Sequence, residues 1–252
     1  MSDSGGEWQV ARRRKGASRS SKSLQVSLLV AASASVSKPP EDTDTEDRPE
    51  KVGEGRSCQR LECVCYGLGP FSSCVASRYQ LAMLLLLLDI PLKDCSVYDP
   101  AFSSAEMDVL RELGLTVLTE NEEGKRLANN PTFFYLMHCG KALYNNLLWK
   151  NWSTQCLPLM VIIGNSFSGM RERTTEKEFK RDYSYISKAV DFSVERKLPC
   201  PSRLIDVFND TAVITFPSNS LNRLPQSTWT EPPEPLYQHS SDLEIILKET
   251  QS

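Results

Sequence analysis

The tetrapeptide Gly67-Leu68-Gly69-Pro70 follows the apolar run Leu61 to Tyr66 and precedes a helix-like segment, Phe71 to Asp89. Two glycines between a strand and a helix let the backbone turn tightly and approach an anion, and the helix N-terminus adds favourable electrostatics. The turn is a truncated dinucleotide fingerprint, because Ser72 stands where the third glycine is due. Asp99 closes a second apolar run, a place from which a carboxylate accepts hydrogen bonds from both ribose hydroxyls of an adenosine-containing ligand. Together they point to a nucleotide or S-adenosylmethionine-like pocket. The plainer alternative is a tight turn followed by an ordinary helix cap.

His138-Cys139-Gly140 ends another apolar run. A histidine at a strand's carboxyl end is placed for acid–base work or metal ligation, against the alternative of a hydrogen-bonded structural histidine. Neighbours in a strand point to opposite faces, so Cys139 and His138 make a poor dyad. Glu120 and Asn165 close two further runs, and Asn145, on the helix after His138, is expected to reach the same cleft. Asn165 also fits a left-handed turn position. Cys200-Pro201 is the dipeptide of haem-regulatory motifs, in which a thiolate ligates ferric haem. No Cys-x-x-Cys pair occurs, and the chain has 2 histidines, which argues against a structural zinc site. Without a secretory signal the 8 cysteines read as reduced thiols, with Cys63, Cys65, Cys95 and Cys139 in or beside strands as small buried hydrophobes.

The elements that must position these residues are short apolar strands alternating with helices. Cys95 to Tyr98, Thr116 to Leu118, Thr132 to Met137, Leu159 to Ile163 and Ala212 to Phe216 read as strands after the first. A helix capped by Ser103 or Ser104 and closed by Gly114, and another over Lys141 to Trp149, lie between them. Arg171 to Val190 reads as a charged, largely exposed helix. Strands without strict period-two patterning indicate a sheet covered on both faces. The fold class is α/β: a doubly wound, mainly parallel, Rossmann-like sheet. Ligands in such folds sit outside the carboxyl ends of the strands, where Gly67, Gly69, Asp99, Glu120, His138 and Asn165 converge.

Residues 1–57 are rich in Ser and charge, with a basic cluster from Arg12 to Lys22 and then an acidic stretch, so they are expected to be a disordered tail. The α/β domain is expected over 58–218, and a Pro-rich, partly disordered extension over 219–252 with a short helix at Leu243 to Lys248. The formal net charge of -3 argues against direct nucleic-acid binding. Leu81 to Leu88 is too short to span a membrane and reads as a core helix. The expected compartment is the cytoplasm, with the nucleus as a further location.

The blocks Val64 to Cys74, Ser77 to Ala82, Val97 to Pro100, Glu120 to Gly124, Met137 to Gly140, Leu143 to Trp149, Val161 to Phe167 and Phe208 to Thr211 resemble the signature of the Sensitivity to Red Light Reduced (SRR-like) family, its animal members in particular. The resemblance runs roughly from residue 61 to 217. It implies a regulator of circadian clock gene expression and of haem biosynthesis that acts through protein partners or a sensed ligand. In plant relatives it implies light signalling to the clock. It implies no catalytic residue or ligand at a named position. The alternative from the residues themselves is a transferase that uses a nucleotide or S-adenosylmethionine in the strand-end cleft. One departure stands out: the resemblance implies a helix before the first strand, whereas an acidic, Gly-containing stretch leads straight into Leu61. That reads as a shortened chain or as a less covered sheet face.

Overall fold

The computed structural model describes residues 61–87, 90–230, 233–237 and 245–246. The tail expected over 1–57 lies outside them, as does the helix expected at Leu243 to Lys248 except for Ile245 and Ile246.

Strands β1 (Glu62–Tyr66), β2 (Cys95–Tyr98), β3 (Thr116–Val117), β4 (Thr132–Leu136), β5 (Met160–Asn165), β6 (Val194–Lys197) and β7 (Thr211–Thr215) form a 7-stranded sheet in the order β3-β2-β1-β4-β5-β7-β6. The pairs from β3 through β5 are parallel, and β7 runs antiparallel to both β5 and β6. The doubly wound α/β expectation therefore holds. Two details are corrected. The strand ending at Phe216 is reversed, and β6 is an additional strand that the apolar pattern does not reveal. Its sequence, Val194-Glu195-Arg196-Lys197, is largely exposed at the sheet edge, where charge discourages pairing with another chain and hides the strand from an apolar pattern.

Alternation along β1, β4 and β5 sends side chains to two cores. Val64, Tyr66, Phe134, Leu136 and Ile162 face one side, packed with Tyr144, Leu147 and Leu148 of α3 (Lys141–Lys150; α1, Val75–Leu87, and α2, Ser104–Glu112, lie on the opposite face). Cys63, Cys65, Phe133, Tyr135 and Ile163 face the other. There they meet Leu81 and Leu84 of α1 and Leu110 of α2. Full burial of each large apolar side chain contributes about 1.5–3 kcal/mol before conformational entropy is counted. Cys63, Cys65 and Cys95 are buried, as expected of small hydrophobes, and burial together with neighbouring sulfurs pushes the Cys65 thiol well up.

The segment read as one exposed helix is three short ones: α4 (Phe167–Glu172), α5 (Glu176–Asp182) and α6 (Ser184–Ala189). Phe179, Tyr185, Ile186 and Ala189 are buried against the first core, so the charges of this segment conceal an apolar face. Two further single-turn helices, α7 (Ile205–Phe208) and α8 (Ser218–Leu221), flank β7. Beyond α8, Thr228 and Trp229 pack on the domain. Trp229 packs on Trp152 at 5.9 Å between ring centroids, and the Trp152 indole N–H donates to the Thr228 carbonyl at 2.8 Å. Among the described residues no helix is long and apolar enough to cross a membrane.

Helix α2 begins with a capping box. Ser103 Oγ accepts from the Glu106 N–H, and Glu106 Oε2 accepts from the Ser103 N–H at 2.9 Å. The other Glu106 oxygen accepts from the Ser72 N–H at 2.7 Å, which ties the β1–α1 loop to α2. Burial alone would push the Glu106 carboxyl up. The hydrogen bonds from Ser72 and Ser103 outweigh it and hold the group down at about 2. A carboxyl held below its unfolded value stabilises the fold above that value and loses the effect as pH falls through the folded one. Glu106→Gln is thus expected to lower the melting temperature at pH 7, with the gap from the wild type closing as pH falls from about 4.5 towards 2. A gap that stays constant across that range in thermal melts would show that the Glu106 charge is not what holds this junction.

Candidate functional site

The sheet order reverses between β1 and β4, since the chain leaves β1 for β2 on one side and later returns with β4 on the other. Loops at the carboxyl ends of two such strands lead to opposite faces and leave a crevice between them. A cleft of about 580 Å³ opens there, within the size range of small-ligand pockets. The Gly67 turn, Asp99 after β2, the Asn121–Gly124 loop after β3 and the His138 turn after β4 all contribute to its wall.

Gly67 and Gly69 have φ of +68° and +79°. A Cβ at Gly67 would stand 2.5 Å from Cys139 Sγ, and one at Gly69 would stand 2.5 Å from Ser77 Oγ. Glycine is therefore required twice at each position, by the left-handed backbone and by the approach of a neighbour. Five N–H donors of this turn, those of Gly67, Gly69, Ser72, Ser73 and Cys74, are bonded within the protein. Gly67 N–H donates to the Tyr98 carbonyl at 3.3 Å, and Ser73 and Cys74 N–H donate to the Pro70 carbonyl. Gly69 N–H donates to Asp99 Oδ2 at 2.7 Å, and Ala101 N–H donates to Asp99 Oδ1 at 2.8 Å. With Ser72 bound to Glu106, the turn that looked like an anion cradle is stitched to two of the protein's own carboxylates.

His138 sits at φ +54°, a left-handed conformation that turns the chain off β4. Its Nε2 lies 2.7 Å from the Val207 carbonyl, which can only accept, so Nε2 carries a proton and donates. Cys139 Sγ donates to the Tyr66 carbonyl at 3.3 Å. Each of the two is thus bonded to a different backbone carbonyl, and they do not form a nucleophile–base pair.

Of the residues expected to converge, Gly67, Gly69, Asp99 and His138 line the cleft. The others do not. Glu120 is exposed, one residue short of the loop that does contribute. Asn145 is fully buried on the other side of α3. Its Oδ1 accepts from the Tyr185 and Ile186 N–H groups, which cap α6, and its Nδ2 donates to the Tyr237 hydroxyl at 3.2 Å. Asn165 is the last residue of β5, not a left-handed turn residue, and its N–H donates to the Tyr144 hydroxyl at 2.8 Å. Cys200 lies outside the cleft, half-buried, with its thiol donating to the Leu204 carbonyl at 3.4 Å.

Several lining residues escaped the sequence reading. The Tyr66 hydroxyl donates to Glu122, whose other oxygen is ion-paired with Arg126 at 2.7 Å. Burial, then the hydrogen bond to Glu122, pushes the Tyr66 phenol well up, so it stays neutral. Lys125 bridges Glu123 and Glu234, each at 2.6 Å. Ile245 and Ile246 form an apolar wall, with the Asn121 side chain donating to the Ile246 carbonyl at 2.6 Å. Tyr66 and Tyr98 had the look of ordinary strand core, and only their place as last residues of β1 and β2 distinguishes them.

Gly67→Ala is expected to cost about 1–2 kcal/mol for the left-handed backbone alone. The clash with Cys139 adds to that, and Gly67→Ala combined with Cys139→Ala should recover the steric part. Chemical denaturation of the two single variants and the double variant measures the coupling. Strictly additive losses would show that Cys139 does not press on the turn.

The SRR1 domain family model matches residues 20–215. The mouse SRR1-like protein is 53% identical over 139 residues, covering 54% of this chain and 56% of that protein. A Drosophila melanogaster SRR1-like protein is 34% identical over 159 residues, covering 63% of this chain and 56% of the relative. The Arabidopsis thaliana Protein SENSITIVITY TO RED LIGHT REDUCED 1 is 36% identical over 119 residues, 46% of this chain and 43% of the relative. These matches span about half the length of the curated relatives. The family model runs through β1 to β5, the whole cleft loop set apart from Ile245 and Ile246, and on to the end of β7, and on that extent the chain belongs to the SRR1 domain family.

Proposed function

We propose that this chain is a regulatory protein that acts on circadian clock gene expression and on haem biosynthesis, through protein partners and a small ligand sensed in the strand-end cleft. The observation that carries this reading is membership of the SRR1 domain family, in which a plant relative is named for reduced sensitivity to red light. The cleft chemistry is in keeping with it. His138 and Cys139 are each bonded to a backbone carbonyl, and Glu122 is held between Tyr66 and Arg126, an arrangement suited to shape and charge recognition. Such a role places the protein in the cytoplasm with access to the nucleus. Haem ligation by Cys200 would require its thiol to leave the Leu204 carbonyl, and the cleft offers that residue no part.

A second reading, a transferase using an adenosine-containing ligand, is favoured by one specific juxtaposition. Gly67, Gly69 and Asp99 stand together at the point where the sheet order reverses, the place where α/β sheets hold such ligands.

The regulatory reading is tested by rescue in animal cells that lack the protein and carry a clock-gene reporter. Wild type is expected to restore both reporter amplitude and cellular haem content. Ala101→Trp, which fills the mouth of the cleft from an exposed position, should accumulate normally and restore neither. Asp108→Ala, exposed on α2 and away from the cleft, should behave as wild type. Full rescue by Ala101→Trp would remove the cleft from the function, and wild type without effect on either readout would end the regulatory reading.

A further inference from the structure

The donors of the β1–α1 turn decide what kind of ligand the cleft admits. A phosphate is held in such a turn by backbone N–H groups pointing outward, by Lys or Arg, or by both. Here the Gly69 and Ser72 N–H groups point at the carboxylates of Asp99 and Glu106, both at 2.7 Å. A phosphate would have to displace those carboxylates and then sit beside them, like charge against like charge.

The side chains of the wall point the same way. Asp99, Glu122 and Glu123 line the cleft, and no Lys or Arg is among its described lining residues. Lys125 and Arg126, the next residues along, are drawn off to Glu123, Glu234 and Glu122, and since these pairs also offset the Glu122 and Glu123 charges, Asp99 dominates the field of the wall. Asp99 has backbone N–H partners and no ion pair among the described residues. Tyr66 and Tyr98 add two neutral aromatic rings, and burial followed by the Asp99 charge pushes the Tyr98 phenol up. Carboxylates next to aromatic rings in a partly dry cleft attract an organic cation and repel an anion.

We infer that the cleft takes a phosphate-free cation of nucleoside size, an adenosyl sulfonium, and rejects nucleoside phosphates. This rests on the ligand-sensing reading above and names its ligand. The cation would meet Asp99 and the two tyrosine rings, and the apolar wall of Leu143, Ile245 and Ile246 would take the uncharged part.

The test is a thermal-shift series on the full chain with S-adenosylmethionine, S-adenosylhomocysteine, ATP and inorganic phosphate. A ligand that binds the folded state and not the unfolded one raises the melting temperature with the logarithm of its concentration relative to Kd. S-adenosylmethionine is expected to raise it at lower concentration than S-adenosylhomocysteine, whose sulfur is neutral, and ATP and phosphate are expected to leave it unchanged. Asp99→Asn should narrow the preference for the sulfonium, and Glu122→Gln, which leaves the turn intact, should do so as well. A shift by ATP or phosphate at least as large as that by S-adenosylmethionine would overturn the inference while leaving a ligand-sensing cleft. Equal response to the two adenosyl compounds would overturn the charge argument, and no shift with any compound would remove the ligand reading altogether.

Discussion

Two carboxylates hold the working end of this sheet together. Asp99 binds the Gly69 and Ala101 N–H groups, and Glu106 binds those of Ser72 and Ser103. Charge-assisted hydrogen bonds to backbone N–H are among the stronger contacts available to a loop. Through them the β1–α1 turn, the β2–α2 loop and the start of α2 become one rigid rim. The remainder of the cleft is arranged around that rim: Cys139 rests against Gly67, and Gly67 in turn binds the carbonyl that ends β2.

The same contacts account for a glycine turn that has the form of an anion cradle but whose Gly67, Gly69 and Ser72 N–H groups are taken up by the protein itself. A turn can keep left-handed glycines for steric reasons after its N–H groups have been turned to internal use. Gly67 and Gly69 are each locked by a side chain, a thiol in one case and a hydroxyl in the other, so the glycines by themselves say nothing about phosphate. Asp99, the lining acid with no ion pair among the described residues, then sets the sign of the field that a ligand meets.

The back of the domain is built on a different device. Buried amides on α3 and at its C-cap take the place of loop backbone. Asn145 caps α6, Asn146 donates to the Glu123 carbonyl and accepts from the Tyr237 hydroxyl, and Asn151 donates to the Arg126 and Leu147 carbonyls. A buried amide that finds all its partners fixes its neighbours, and losing one partner is costly. Through Asn146, α3 also positions the loop that presents Glu122 and Glu123, so the closely packed helix and the open cleft share one set of contacts.

The sheet, its doubly wound character and the place of the cleft were legible in the chain. Apolar runs such as Thr132 to Leu136 and Met160 to Ile163 are long enough to be strands and too uniformly apolar to have a wet face, and the glycine turn marks the end of the first. Strand β6 was not legible, because an edge strand needs only one partner and its side chains remain in solvent. The reversal of β7 was not legible either, since direction depends on the connection and not on the residues of the strand. Sequence position likewise placed Asn145 and Asn165 beside the cleft, but the twist of a helix and the last ladder contact of a strand turned their polar atoms inward. By itself the sequence determined which residues are apolar, where the chain turns and which acids stand at strand ends. Only the tertiary structure decided which of those acids face a ligand and which face a backbone N–H, because a hydrogen bond between residues thirty or more positions apart is set by how the loops pack.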